Sequence, residues 1–519
     1  MVETAAASWA AVELGGANLG DARLNRRLVR VAEHLGGQPG ASIPVACGGW
    51  AETQAAYRLL AHEDVDWEAV LTPHWECSVE RMRGQPVVLC VQDSTELDYT
   101  AQPGIAGLGP LSYLRQHGLY VHPTLAVTPE GVPLGVLDAW MWTRDRDTFG
   151  EDKRHWPIEA KESMRWLEGF ARCAELAARL PDTRLVYVAD RECDLHEFMV
   201  RAQREAGLDW LIRATHNRCL AEGDKLWDRL AQAPVLGEVS FILPARPNRP
   251  SRPVVLTVRA ERVTLHPKGG EPVTVTALRA REEAAPVGIE PLDWRLLSNR
   301  RAETLAQAAE FIQWYGTRWS IEVFFRILKT GCRVEALQLS TLDRLEPALA
   351  LYLIIAWRIQ YLTVLGRMTP DLPCDAVLDP VEWRAVYVAI HRRPPPVIPP
   401  PLPAMLGWIA RLGGHLGRKC DGPPGPAEPA EPAGGADGAG RTGHPAPERW
   451  QTGDGHRAAG AGRVPAGRGR TARLAVADQP RGRHPGPGGR IDPVVRNSLE
   501  YRGFFPNLEN RLPGGSLAT

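Results

Sequence analysis

The chain has 519 residues, 61 basic against 61 acidic side chains and 44% apolar residues, enough for about two to four domains with sizeable cores. A net formal charge of zero excludes a globally polycationic binder, so any nucleic-acid partner has to be met by local patches. Nine cysteines without a CxxC spacing argue against a zinc ribbon or a disulfide framework, no run approaches the roughly 20 apolar residues of a membrane span, and the N-terminus lacks a secretory pattern; together these predict a cytoplasmic protein without a membrane partner.

Residues 1 to about 70 read as helical, with "LNRRLVRVAEHLGG" and "WAETQAAYRLLAHEDV" both carrying the helical period. Arg23, Arg26, Arg27 and Arg30 fall at i, i+3, i+4 and i+7, giving the first helix a basic face, either solvated or turned to phosphates. "PVVLCVQD" (86–93) is a short apolar run ending in a carboxylate, and "LYVHPTLAVTPEGVPLGVLDAWMW" is a hairpin around a Pro-Glu-Gly turn. Helix at 158–179, a second aspartate-tipped run in "TRLVYVADRECD", helix at 194–206 and the strand "DWLIRAT" complete a β-β-β-α-β-α-β order. That order predicts an α/β domain, a mixed sheet flanked by helices, over about 71–370.

Residues 222–290 interrupt it with β-rich sequence, read as an inserted subdomain. Helix resumes at 302 and again at 344–366, and the proline-rich "RRPPPVIPPPLPA" marks a boundary within 371–420. From 421 to 490, 41 of 70 residues are Gly, Pro or Ala, with ten arginines and no lysine. This composition predicts a disordered low-complexity tail over 421–519, of the kind a high-GC gene gives when read out of frame.

"YGTRWSIEVFFRILKTG" (315–331) carries the densest chemistry. Wound as one helix, Tyr315, Arg318, Glu322, Arg326 and Lys329 fall within about 40° of Glu322, while Ile321, Phe324, Phe325 and Leu328 fill an apolar arc elsewhere. Such a stripe is either a solvated face laced with i,i+4 ion pairs or an outward-facing active face. Asp93 and Asp190, each at the tip of an apolar run, supply two further carboxylates that could share a cleft with Glu322. Hard divalent cations prefer such oxygen ligands, and two metal ions about 4 Å apart suit phosphoryl-transfer chemistry.

"VQDSTELDY", "YVADRECDLH" and "YGTRWSIEVFFRILK" resemble the three catalytic blocks of bacterial cut-and-paste transposases of the insertion-sequence-four family, the transposon Tn-five type. The third block has that family's Tyr-Arg-Glu-Lys signature at Tyr315, Arg318, Glu322 and Lys329, with two, three and six intervening residues. The resemblance covers roughly residues 8–420. It implies a ribonuclease H-like fold with the β insertion before the Glu helix, and an N-terminal helical DNA-binding domain. It also implies Asp93, Asp190 and Glu322 as catalytic ligands of two Mg²⁺ ions, with Mn²⁺ able to substitute. Tyr315, Arg318, Lys329 and Arg326 would then face DNA. Trp294, 21 residues before Tyr315, matches a tryptophan that stacks on a flipped-out base, and Arg213 matches a basic position near the substrate. The implied partners are inverted-repeat end DNA, target DNA and a second copy in a homodimeric synaptic complex. A general nuclease with the same triad and an inactive end-binding remnant are the alternatives.

Overall fold

Caps and apolar spacing set the N-terminal helices. In the computed structural model, which describes residues 8–153, 155–205, 207–243 and 250–412 and the backbone of 498–500, α1 (Trp9–Leu14) is followed by α2 (Ala22–Gly37). Asp21 accepts the Arg23 N–H at 2.7 Å and starts α2, which buries Leu28, Val31, Ala32 and Leu35 and leaves its arginines on the other side. Two short helices follow, α3 (Ile43–Cys47) and α4 (Trp50–Leu59), joined by Gly48 at φ 67°, a left-handed turn that favours glycine. Next comes α5 (Trp67–Arg83), on which His74 is fully buried. Its Nδ1 lies 2.6 Å from a Glu13 oxygen, and Arg81 donates to Glu13 at 2.6 Å and stacks over the Trp357 ring, so α1 is clamped to the core rather than only to its neighbouring helices.

The sheet begins with β1 (Val87–Gln92), β2 (Thr95–Asp98) and the two-residue β3 (Gly109–Pro110), then the predicted hairpin of β4 (His117–Val127) and β5 (Pro133–Trp142). Helix α6 (Met164–Arg179), β6 (Arg184–Ala189), α7 (His196–Arg204) and β7 (Asp209–Arg213) follow. β1, β6 and β7 are parallel neighbours, and β4 closes antiparallel on β1. Alternate residues of β1 go to opposite cores: Leu89 and Val91 join the one that holds the N- and C-terminal helices, Val88 and Cys90 the one beneath α6 and α7. Both faces are therefore covered, as near-continuous apolar strands require.

The β-rich stretch is not a separate subdomain. After α8 (Leu226–Gln232), the meander β8 (Val235–Leu243), β9 (Arg252–Leu265), β10 (Val273–Arg281) and β11 (Asp293–Ser298) rejoins the main sheet, because β11 lies antiparallel to β7 with Leu296 opposite Arg213. Among the described residues the result is one 12-stranded sheet whose far edge is β12 (Ser498–Glu500), paired in parallel with β8. Of the tail expected to be structureless over 421–519, only the backbone of these three residues lies among the described ones.

The stretch 315–331 is likewise not one helix. α9 (Leu305–Thr317) starts at a Thr304–Gln307 capping box and ends where Thr317 Oγ1 turns to the Pro129 carbonyl at 2.9 Å; α10 (Trp319–Arg326) follows, and Ile327–Gly331 winds into a π turn. π turns inside helices are frequent at functional sites. α11 (Leu342–Met368) runs 27 residues and, by length and composition alone, could span a membrane, where the sequence pattern predicted no such segment. Its best window is 67% buried, and Arg358 within it is paired with Glu382 at 3.2 Å, so here it is a core helix against α5 and β5. α12 (Pro380–His391) and α13 (Leu402–Leu412) flank the proline-rich connection and share a small core around Trp383, Leu402 and Met405. The whole is a ribonuclease H-like sheet with a strand extension between β7 and α9.

Candidate active site

Asp93 is placed by a gap in a hydrogen-bond ladder. β1 and β2 both lie antiparallel to β4, with Gln92 opposite Thr124 and Thr95 opposite Val121, so Asp93 and Ser94 fall opposite Pro123 and His122. Pro123 has no N–H to give, and the ladder lapses there. Ser94 instead meets the buried His122, Oγ to Nδ1 2.7 Å. Asp190 arrives from the adjacent parallel strand: Val91 is opposite Val188, so the residues two further on leave the sheet at the same end. Asp190 also accepts the Glu192 N–H at 2.7 Å, which starts the turn after β6.

The third element reaches them through an arginine. Arg318, at the break between α9 and α10, is only 6% exposed; one guanidinium nitrogen lies 2.9 Å from Asp93 Oδ2 and another 2.5 Å from Glu322 Oε1. Burial works against its charge, but Asp93, Tyr315, Glu322 and Asp190 outweigh it and hold it more firmly protonated than an ordinary arginine. Burial, and then the charge of Asp190, push the Asp93 carboxyl up to about 7 against the pull of Arg318. Among the described residues no three potential ligands stand close enough to hold a metal ion as they are. The donor set nevertheless fits a hard cation: oxygen-only, with a positive group already bridging two of its members.

Tyr315, Trp294 and Arg213 sit beside this cluster. Tyr315 is buried, which raises its hydroxyl pKa, while Arg318 and Arg213 pull it down. Trp294, on β11, meets the Tyr315 ring edge-on at 5.7 Å and stacks on Phe241 at 6.4 Å. The single exposed stripe read from the sequence is thus corrected. Its first member points inward, and the π turn carries Lys329 towards Glu335, Glu96 and Asp98; burial lowers its ammonium pKa and those carboxylates partly restore it. Arg326 is exposed and outside the cluster. Arg23 and Arg26 are exposed on α2, Arg27 is half-buried, and Arg30 pairs with Glu52 at 3.2 Å.

Sequence reasoning missed Glu192, a fourth carboxylate whose pKa is raised by burial and then by Asp190; its only signal was its place two residues after a strand-tip aspartate. It also missed Asp194, buried and accepting the Thr215 and His216 N–H groups at 2.7 and 2.9 Å and paired with Arg218 at 2.6 Å, which pins the loop leaving β7.

Residues 168–358 match the family model described as the transposase DDE domain, residues 6–65 match transposase DNA-binding, and residues 354–428 match the transposase Tn5 dimerisation domain. The dimerisation match begins inside α11, earlier than the boundary at 371 expected from composition, and continues past the point where the glycine- and proline-rich sequence begins. Asp93 lies outside the matched DDE segment, and its place beside Asp190 follows from the sheet register.

Proposed function

We propose that this chain, which carries the DNA-binding, DDE and dimerisation domains of a DNA transposase, is a cut-and-paste enzyme of the insertion-sequence-four type. It binds inverted-repeat ends, cleaves them at Asp93, Asp190 and Glu322, and joins the freed 3′ ends to target DNA as a homodimer, acting in the cytoplasm on nucleoid DNA. The observation that carries this reading is the convergence of Asp93 and Asp190 at one sheet end with Glu322 linked to Asp93 through Arg318. Two Mg²⁺ ions, or Mn²⁺ in their place, would supply an activated water and neutralise charge on the phosphate. The chain's own part is to hold three carboxylates at the scissile position, and to offer Arg318 and the Tyr315 hydroxyl to the neighbouring backbone once Arg318 is displaced from Asp93 and Glu322. Lys329, held among carboxylates, would reach the DNA only by leaving them.

The test uses the full-length protein, Mg²⁺ and a labelled duplex carrying the element's own inverted repeat beside unrelated flanking sequence. The expected products are a nick that leaves a 3′-hydroxyl at the repeat boundary, followed by joined product with a target plasmid. Equal cutting of any duplex would make the protein a general nuclease, and binding without cutting would make it an end-binding remnant.

Trp294→Ala is expected to slow formation of a hairpin end more than the first nick, since stacking on an extruded base is worth about 1–3 kcal/mol only when the second strand bends into the site. Gel analysis of nicked and hairpin species over time separates the two steps. An equal loss at both would assign Trp294 to packing Tyr315 and Phe241 alone.

A further inference from the structure

A second basic feature opens next to the carboxylates. Arg191 follows Asp190 directly, Arg213 ends β7 beside Tyr315, and Arg295 lies on β11; together with Trp227 of α8 and Asp293 they line an open cavity of about 150 Å³. The lining holds three arginines against one carboxylate, and that carboxylate is already spent: Asp293 takes Arg279 at 2.9 and 3.0 Å and Arg295 at 2.8 Å. Neither Arg191 nor Arg213 forms an ion pair among the described residues. The Arg295 guanidinium lies over the Trp227 ring at 4.5 Å, so its position is fixed by the indole as well as by Asp293. The pinned β7 loop, tied down by Asp194, keeps Ala214 and Thr215 at the cavity wall.

An open, arginine-lined site in which two of the three guanidinium groups lack an ion-pair partner among the described residues suits a tetrahedral oxyanion. We propose that this cavity takes one phosphodiester of the DNA strand that continues past the scissile position, with Arg191 and Arg295 as its two positioning residues and Arg213 bridging it to the catalytic cluster. The inference rests on the function proposed above for its choice of strand. A phosphate seated there would fix how far the strand runs beyond Asp190, and so which bond meets the carboxylates.

The test compares two duplexes on the full-length protein in Ca²⁺, which is not expected to support cleavage. In one the strand extends several nucleotides past the cleavage position; in the other it stops there. Arg191→Gln and Arg295→Gln are each expected to weaken anisotropy-measured binding of the extended duplex several-fold, and to flatten its plot of log affinity against log salt by about 0.9. Binding of the truncated duplex should not change, which also shows that the variants fold. Equal losses on both duplexes, or none on either, would overturn the proposal. So would specific binding of inorganic phosphate, seen as ³¹P line broadening in the wild type but in neither variant, with no dependence on strand length, since that would make the cavity a free-anion site. Because binding alone is read, failure of end cleavage by the wild type would count against the proposed function and leave this result standing.

Discussion

Glu322→Gln should abolish cleavage of a matched end while leaving its binding intact. Gln keeps the volume of the side chain, and its carbonyl can still accept the hydrogen bond that Arg318 now gives at 2.5 Å, so α10 has no reason to move. What is lost is one negative charge from a site that must gather divalent cations, and the expected fall in nicking with Mg²⁺ is on the order of 10³ or more. Asp93→Asn and Asp190→Asn should behave alike, because removing members of a unit gives similar rather than additive losses. The measurement is paired: denaturing gels for the nick, gel shift for the end. Near-normal nicking by any of the three would move the reaction elsewhere in the molecule, and loss of the gel shift would show a folding defect.

Arg318→Ala should destabilise the metal-free protein and make it depend on divalent cation for its stability. Breaking a buried pair by removing one partner costs about 3 kcal/mol or more, because the other charge is stranded; here two carboxylates, Asp93 and Glu322, lose their counter-charge together. The pH dependence follows in sign. Burial and then Asp190 already raise the Asp93 carboxyl to about 7, above its value in the unfolded chain, so the folded state binds this proton more tightly and the associated stability is present at low pH and lost as pH rises through about 7. Without Arg318 the opposing pull disappears and that loss steepens. Melting curves at pH 6 and pH 8, with and without Mn²⁺, should therefore show the variant falling further than wild type on going to pH 8, and recovering more with Mn²⁺. Identical curves for the two proteins would mean that Arg318 does not hold the carboxylates apart from metal.

The order of strands and helices is legible in the sequence because each core strand is a short apolar run closed by a polar tip, and each crossover is a helical period of ordinary length. The carboxylates could be picked out for the same reason: Asp93 and Asp190 end such runs. Their meeting is a matter of sheet register, which puts Val91 opposite Val188, and register is invisible in a one-dimensional pattern. The stretch 315–331 misleads because a helical wheel assumes one axis. Arg318 is drawn inward to Asp93, 225 residues away, and Thr317 to the Pro129 carbonyl, 188 away; the resulting break and the π turn send Tyr315 and Lys329 to different neighbourhoods. Of the second cavity's arginines only Arg213 was marked, through the family resemblance; Arg191 and Arg295 come from separated segments that share no spacing and had no signal of their own. The β stretch after 222 reads as an insertion because it breaks the α/β rhythm, but only the pairing of β11 with β7 makes it the same sheet.

The clamp of Glu13 on His74 and Arg81 bears on how this molecule can be cut and rejoined. A cassette exchange that replaced everything before residue 66 would remove Glu13, leaving the buried His74 without its hydrogen-bond partner and the part-buried Arg81 without its counter-charge. The seam that keeps the catalytic half whole runs instead through the loop after α1, near Gly15 and Gly16, so that the first helix stays with the sheet and only the helices from Asp21 onward are traded. Because α1 packs on α5 as well as on α2, a helix inside the segment matched as DNA-binding is by contact also tied to the catalytic core.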